Sequence, residues 1–397
     1  DYGSIDGQDF TGEKVLLDAP FLYLDEDTHE WNDAEIYVTA SYTFYNTNRM
    51  YPYYRGEVNM EFHNSSITGM AVNSEGQTQG VEFGYMYYSM NMDVNGSSFN
   101  GISSIIGAMG YGYYSDYELE HFYIRNSTIN HYQGYSPLNN AIQVTDICIR
   151  MYGGEGDVIE NNTFNNCGAG ILMQRSPYYY SHSSNEVGAD NLTIQNNVFT
   201  DGGEIYDIWF YGSANSDSPL IMGNEFNNSF GEGTVAIYDG STEGAVIKDN
   251  TMRGFEDAAV YLNDVPDYLI EGNDVFGIGE GALAFYVDGG SGDIVDNTIV
   301  DADEGIWMTG ATAPVGQTTS LCQISGNYGY SDQCSFSFPG NGTTLVIDIE
   351  TDSWGYEISL EITKPDGTKD TWNTYTFSSN TAYKPLRTYT DAGTYTI

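Results

Sequence analysis

Ten short segments of this chain share one frame: an apolar residue, then Asn or Ser three positions later, then a second apolar residue two positions further on. Six carry Asn, as "IENNTF" at Ile159, "IQNNVF" at Ile194, "IMGNEF" at Ile221, "IKDNTM" at Ile247, "IEGNDV" at Ile270 and "IVDNTI" at Ile294. Three earlier ones carry Ser, as "FHNSSI" at Phe62, "VNGSSF" at Val94 and "IRNSTI" at Ile124, and "ISGNYG" at Ile324 is a degenerate last copy. Successive copies begin 32, 30, 35, 35, 27, 26, 23, 24 and 30 residues apart. Most are followed by a second apolar run, "AGILM", "YDIWF", "TVAIY", "AAVYL", "ALAFYV" or "EGIWM". Turns rich in Gly, Asp and Asn separate the runs.

These runs are too short and too β-branched for helices, which need apolar returns at three and four over ten or more residues. The economical solution is a coil of short strands stacked on its neighbours, each strand pairing in parallel with its equivalent about 4.8 Å away. An inward Asn at a tight bend then donates to and accepts from adjacent coils, satisfying polar groups that the bend would leave buried. The expected asparagine ladder is Asn162, Asn197, Asn224, Asn250, Asn273 and Asn297, with Ser65, Ser97 and Ser127 taking the same place earlier. Ten coils make a rod on the order of 45 to 50 Å long, and its open ends need covers.

The frame and its following "GI" strand resemble the parallel β-helix repeat of the pectate-lyase-like superfamily and of periplasmic copper-site maturation proteins with similar repeats. The resemblance covers about residues 62–329 and implies a right-handed coil. It implies little about chemistry, because that scaffold carries lyases, hydrolases, epimerases, adhesins and tail fibres. The expected fold is all-β: an N-terminal β cap over residues 1–57, then a right-handed parallel β-helix, or solenoid, over 58–340. A small β-sandwich-like module takes 341–397, either incomplete at this length or finishing its sheet against another part of the assembly. In that last segment the pattern changes to alternating strands joined by the turn "KPDGT" at Lys364. It resembles modules appended to secreted microbial proteins.

Charge narrows the partners. With 56 Asp and Glu against 12 Lys and Arg the net charge is -44, which repels nucleic acid and anionic membrane surfaces and invites cations or high salt. Four basic residues, Lys364, Lys369, Lys384 and Arg387, fall in the C-terminal module and suit docking on an acidic neighbour. No apolar run is long enough to span a bilayer. Opening at Asp1 without a basic-then-apolar leader, the sequence reads as part of a longer chain.

Cys148 with Cys167 and Cys322 with Cys334 are close enough to bridge short loops, or stand as buried thiols. Seven N-glycosylation sequons occur, at Asn64, Asn95, Asn126, Asn161, Asn191, Asn227 and Asn341. Those at Asn64, Asn126 and Asn161 each precede the ladder position by one residue, which predicts a decorated edge. Together these features point to an extracellular or cell-surface protein.

The best acidic candidates are Asp239, Asp264 and Asp288, which end three apolar runs at intervals of 25 and 24 residues. As a column they would hold Ca²⁺, the one cofactor the acids invite, or place two carboxylates at glycosidase spacing. The alternative is that they are turn residues. Arg253 is the one candidate base near them. The Asn-Thr-Asp, Asp-Asp, Gly-His-Gly and Arg-Ile-Lys segments of the polymer hydrolases that the scaffold resembles are absent, and the five His form no ligand-spaced cluster. Tyrosine- and methionine-rich stretches at 84–92 and 107–117 shelter backbone or offer a platform for sugar rings or a partner chain. The function expected is a stiff structural or adhesive surface rod, self-associating into a filament or surface layer or bound to a surface polymer or glycan. The alternative is a polysaccharide-degrading hydrolase or lyase with an acidic groove.

Overall fold

The computed structural model describes residues 3–4, 9–17, 21–24, 28–39, 42–46, 58–70, 81–85, 90–107, 121–131, 147–151, 154–174, 189–200, 205–211, 216–227, 233–238, 242–309, 321–323, 335–338, 345–350, 359–391 and 393–396. Every helix or strand among them is a strand.

The repeat frame builds two faces of each coil. Its leading residue lies in a ten-stranded parallel sheet running from Thr28–Asn32 to Gly292–Val295. There Ile159, Ile194, Ile221, Ile247, Ile270 and Ile294 stand in register, one per coil. After the bend the chain enters a second face, where Phe164, Phe199 and Phe226 stack at ring distances of 4.6 and 4.8 Å. Met252, Val275 and Ile299 continue that file. The second apolar run forms a third face, whose inward file is Ile149, Ile171, Ile208, Val235, Val260, Phe285 and Ile306. All of these side chains are buried in one continuous core, each contributing roughly 1.5 to 3 kcal/mol. The result is a right-handed parallel β-helix.

The bend between the first two faces has a fixed chemistry. Asp33, Asn64, Gly96, Asn126, Asn161, Asn196, Gly223, Asp249, Gly272 and Asp296 all have positive φ there, a conformation tolerated by Gly and, among the rest, best by Asn and Asp. Stacking adds a second constraint: a Cβ on Gly223 would come within 2.6 Å of Asn196 Oδ1 in the preceding coil.

The next residue turns inward and forms the ladder. Asn197 Nδ2 donates to the carbonyl of Ile159 at 2.8 Å and to Asn224 Oδ1 at 3.0 Å, and its backbone N–H donates to the same Oδ1 at 2.9 Å. The pattern repeats through Asn162, Asn224, Asn250 and Asn273 to Asn297. Serine continues it toward the N-terminus: Ser65 N–H donates to Ser97 Oγ, Ser97 N–H to Ser127 Oγ, and Ser127 N–H to Asn162 Oδ1. All nine ladder side chains are buried.

Parallel stacking begins inside residues 1–57, the segment expected to be an N-terminal cap with or without an opening partial coil. Thr28–Asn32 pairs with Val58–His63, and Glu35–Val38 pairs with both Lys14–Leu17 and Ser66–Gly69. The frame is present there as "WNDAEI", with Trp31 aligned on Phe62. Ala34 stands at the ladder position and donates its N–H to Ser65 Oγ at 3.0 Å. An Ala has no polar signature, so the first copy is hidden in the sequence.

At the other end the pairing becomes antiparallel. Ser335–Phe338, Gly393–Thr396, Leu360–Thr363 and Lys369–Trp372 form one sheet, and Leu345–Glu350 pairs with Ala382–Tyr389. Leu360, Ile362, Phe377, Tyr389 and Tyr395 make its own small core. The basic residues expected to dock on a neighbour are engaged inside the module: Lys364 and Arg387 with Asp370, Lys369 with Glu361. The side chain of Lys384 lies outside the described residues.

Candidate functional site

Inward residues of the third face fill the core, so the residues between them lie on its outer side, where Leu172 and Ala236 are nonetheless buried and Trp209 packs against the Leu172 cluster. Register places Arg150, Leu172, Trp209, Ala236, Tyr261, Tyr286 and Trp307 on one outward row, one per coil. Ala236 leaves a gap that Tyr238, two residues along the same strand, fills. Its ring lies 6.1 Å from Trp209 edge-on and 4.6 Å from Tyr261 in a stack. The column continues with Tyr261 to Tyr286 at 4.9 Å and Tyr286 to Trp307 at 6.5 Å. Five aromatic rings thus cover five successive coils. The column opens toward its C-terminal end, where Trp307 is 44% exposed, while Tyr238, Tyr261 and Tyr286 are half-buried. Tyr211, 37% exposed, flanks its start and lies 4.8 Å from Trp209.

A polar margin runs beside the rings. Asn263 and Asp288 are in register, and Asn263 Nδ2 donates to Asp288 Oδ2 at 3.5 Å. Burial raises the pKa of the Tyr261 phenol, with the neighbouring Tyr286 and Asp288 adding to the effect, so the phenol stays neutral and able to donate. Rings with polar edges beside amide and carboxylate groups suit sugars, whose C–H faces stack on aromatics while their hydroxyls take hydrogen bonds.

The two described acids of the expected column, Asp264 and Asp288, do not share a row. Asp288 faces Asn263 in register, whereas Asp264 is one residue further along and forms an exposed corner with φ 52. A one-residue offset in a strand turns the side chain to the other side. Asp264 Oδ1 instead lies over Gly289, and its backbone N–H donates to the Asp288 carbonyl at 2.6 Å. Asp239 lies outside the described residues. Among the described residues no group of three or more His, Cys, Asp or Glu comes together to hold a metal ion. Arg253 is on the second face, its guanidinium 4.3 Å above the Phe276 ring, and so is not brought to the aromatic column.

Cys148 and Cys167 are joined by a disulfide across a sequence separation of 19. Cys334, the side chain of Cys322, Asn341 and parts of the 84–92 and 107–117 stretches lie outside the described residues. Asn64, Asn126, Asn161 and Asn191 are exposed, whereas Asn95 and Asn227 are half-buried at strand ends. No helix among the described residues is long and apolar enough to cross a membrane.

The aromatic column was missed in the sequence because it appears only after the coils are registered. Its signal was the ring held between two aliphatic or aromatic core residues in "IWF", "VYL", "FYV" and "IWM".

With this architecture in place, the chain is a right-handed parallel β-helix repeat protein. Residues 185–344 match a family model described as a right handed beta helix region. No curated protein matches the chain. Among solved structures it is similar to the periplasmic alginate epimerase AlgG, with TM-score 0.46 and 12% identity over 77% of this chain and 71% of that one. It is also similar to an alginate lyase from Paenibacillus, with TM-score 0.36 and 13% identity over 70% and 92%. A third is PfbA, a surface adhesin of Streptococcus pneumoniae, with TM-score 0.35 and 12% identity over 74% and 83%. Likeness at this level assigns no activity to this chain.

Proposed function

We propose that this protein is an extracellular adhesive rod that holds a neutral glycan along its third face. The carrying observation is the aromatic column from Trp209 to Trp307, whose rings repeat at 4.6 to 6.5 Å from coil to coil. Rigid stacking of coils keeps the rings in line without ordering cost at the moment of binding. The net charge of -44 disfavours an anionic polymer, so the ligand is an uncharged polysaccharide. The Cys148–Cys167 disulfide fits an oxidising, extracellular setting.

The test is affinity electrophoresis of the chain through gels containing neutral or anionic polysaccharides. Retardation by a neutral polymer is expected, and Trp307→Ala should weaken it about tenfold or more, the loss of roughly 1.4 kcal/mol or more of stacking. Trp307 points outward, so the melting temperature should hardly change. Unaltered retardation in Trp307→Ala and in Tyr286→Ala would remove this site. Release of reducing ends from the polymer, abolished in Asp288→Asn, would replace adhesion by cleavage.

A further inference from the structure

Three sequons lie at the left-handed corner between the first and second faces. Asn64, Asn126 and Asn161 have φ of 51, 52 and 55 and are exposed. Each immediately precedes a buried ladder residue, Ser65, Ser127 or Asn162. Their backbone N–H groups donate to Asn95, Glu160 and Gln195 carbonyls of the next coil at 2.9, 3.1 and 3.1 Å, so the corner is held from behind while its side chain faces water. Ser66, Thr128 and Thr163 supply the hydroxyl two residues on. By contrast, the same corner in later coils is Asn196, Gly223, Asp249, Gly272 and Asp296, and no sequon falls there.

We infer that Asn64, Asn126 and Asn161 carry N-linked glycans, stacked as one sugar-bearing edge along the N-terminal coils. Asn64 turns Oδ1 over Gly96, where a Cβ would come within 2.7 Å of it, which leaves Nδ2 on the branch turned away from that coil. Asn126 Nδ2 donates to Asn95 Oδ1 at 2.9 Å, and a glycosylated amide keeps one N–H with which to donate. The donor class is an oligosaccharide on a lipid phosphate or pyrophosphate. Its C1–O bond breaks with the electron pair leaving on the phosphate oxygen, Nδ2 bonds to C1, and the proton lost from Nδ2 passes to a base of the transferase.

In a coil of three faces, the corner between the first two lies opposite the third. The glycans would therefore project away from the aromatic column and leave it open. They also occupy coils N-terminal to it, so decoration and adhesion are separated both around and along the rod.

The experiment is peptide mapping by mass spectrometry of the protein purified from its native source, after cleavage at acidic residues. Sugar mass is expected on at least two of the three corner asparagines. Replacing Ser66, Thr128 or Thr163 by Ala should remove it from Asn64, Asn126 or Asn161 respectively, with the other sites unaffected. Unmodified Asn at two or all three positions overturns the inference. Mass reports attachment and gel retardation reports adhesion, so either can fail while the other stands.

Discussion

One buried acid stands out at the residue scale. Asp157 is fully buried in the wall of the coil, where its Oδ1 accepts from the Phe122 N–H at 2.8 Å and Oδ2 has no partner among the described residues. Burial pushes its pKa up to about 7, against the opposing pull of that N–H. Since the folded pKa is raised above the unfolded one, folding takes up a proton between roughly pH 4 and 7, and stability falls across that window as pH rises. Removing the charge should therefore help only at the alkaline end. Asp157→Asn keeps an oxygen for Phe122, and its stability relative to the parent should grow from near zero at pH 4 to on the order of 4 kcal/mol at pH 8. Denaturant midpoints at fixed ionic strength check this; a difference independent of pH would show that Asp157 is already ionised without cost.

The ladder belongs to the scale of the element, since no single coil can satisfy it. Asn224 Oδ1 accepts from the backbone N–H and Nδ2 of Asn197, while its Nδ2 reaches the Ile194 carbonyl and Asn250 Oδ1. Asn224→Ala strands partners on both neighbouring coils, and each costs about 1 to 3 kcal/mol. A total loss of roughly 3 to 5 kcal/mol is expected by denaturant unfolding. Asn224→Ser should cost less, because Ser65 and Ser97 already perform the task, each donating Oγ to a carbonyl of the preceding coil. Equal losses would mean that the ladder contributes no specific bonding.

This same element was the legible part of the sequence. Ile, Asn and Phe recur at fixed offsets because the bend has one geometry in every coil. Segments between the second and third faces vary in length, so nothing local fixes the register of the third face. That is why the row from Trp209 to Trp307 stayed hidden, and why aligning the chain on its strand-ending acids set Asp264 one residue out of step with Asp288. Ala34 concealed the earliest copy of the frame for the complementary reason, having the right backbone and no polar group.

At the scale of the whole molecule, stacking gives a stiff axis with different chemistry on different edges. The first face carries cross-coil ion pairs, Arg125 with Asp93 and Lys248 with Glu271, each at 2.7 Å. These use two of only 12 basic residues in a chain of net charge -44, so most acids repel one another unless salt screens them. Such a surface opposes the close approach of like-charged copies at low salt, and the contact proposed for a neutral polymer is the aromatic column. The most direct measurement is a crystal structure of the chain with a neutral oligosaccharide that retards it in gels. Pyranose rings lying over Tyr261, Tyr286 and Trp307 are predicted; sugar bound on another face, with this column bare, would contradict the account.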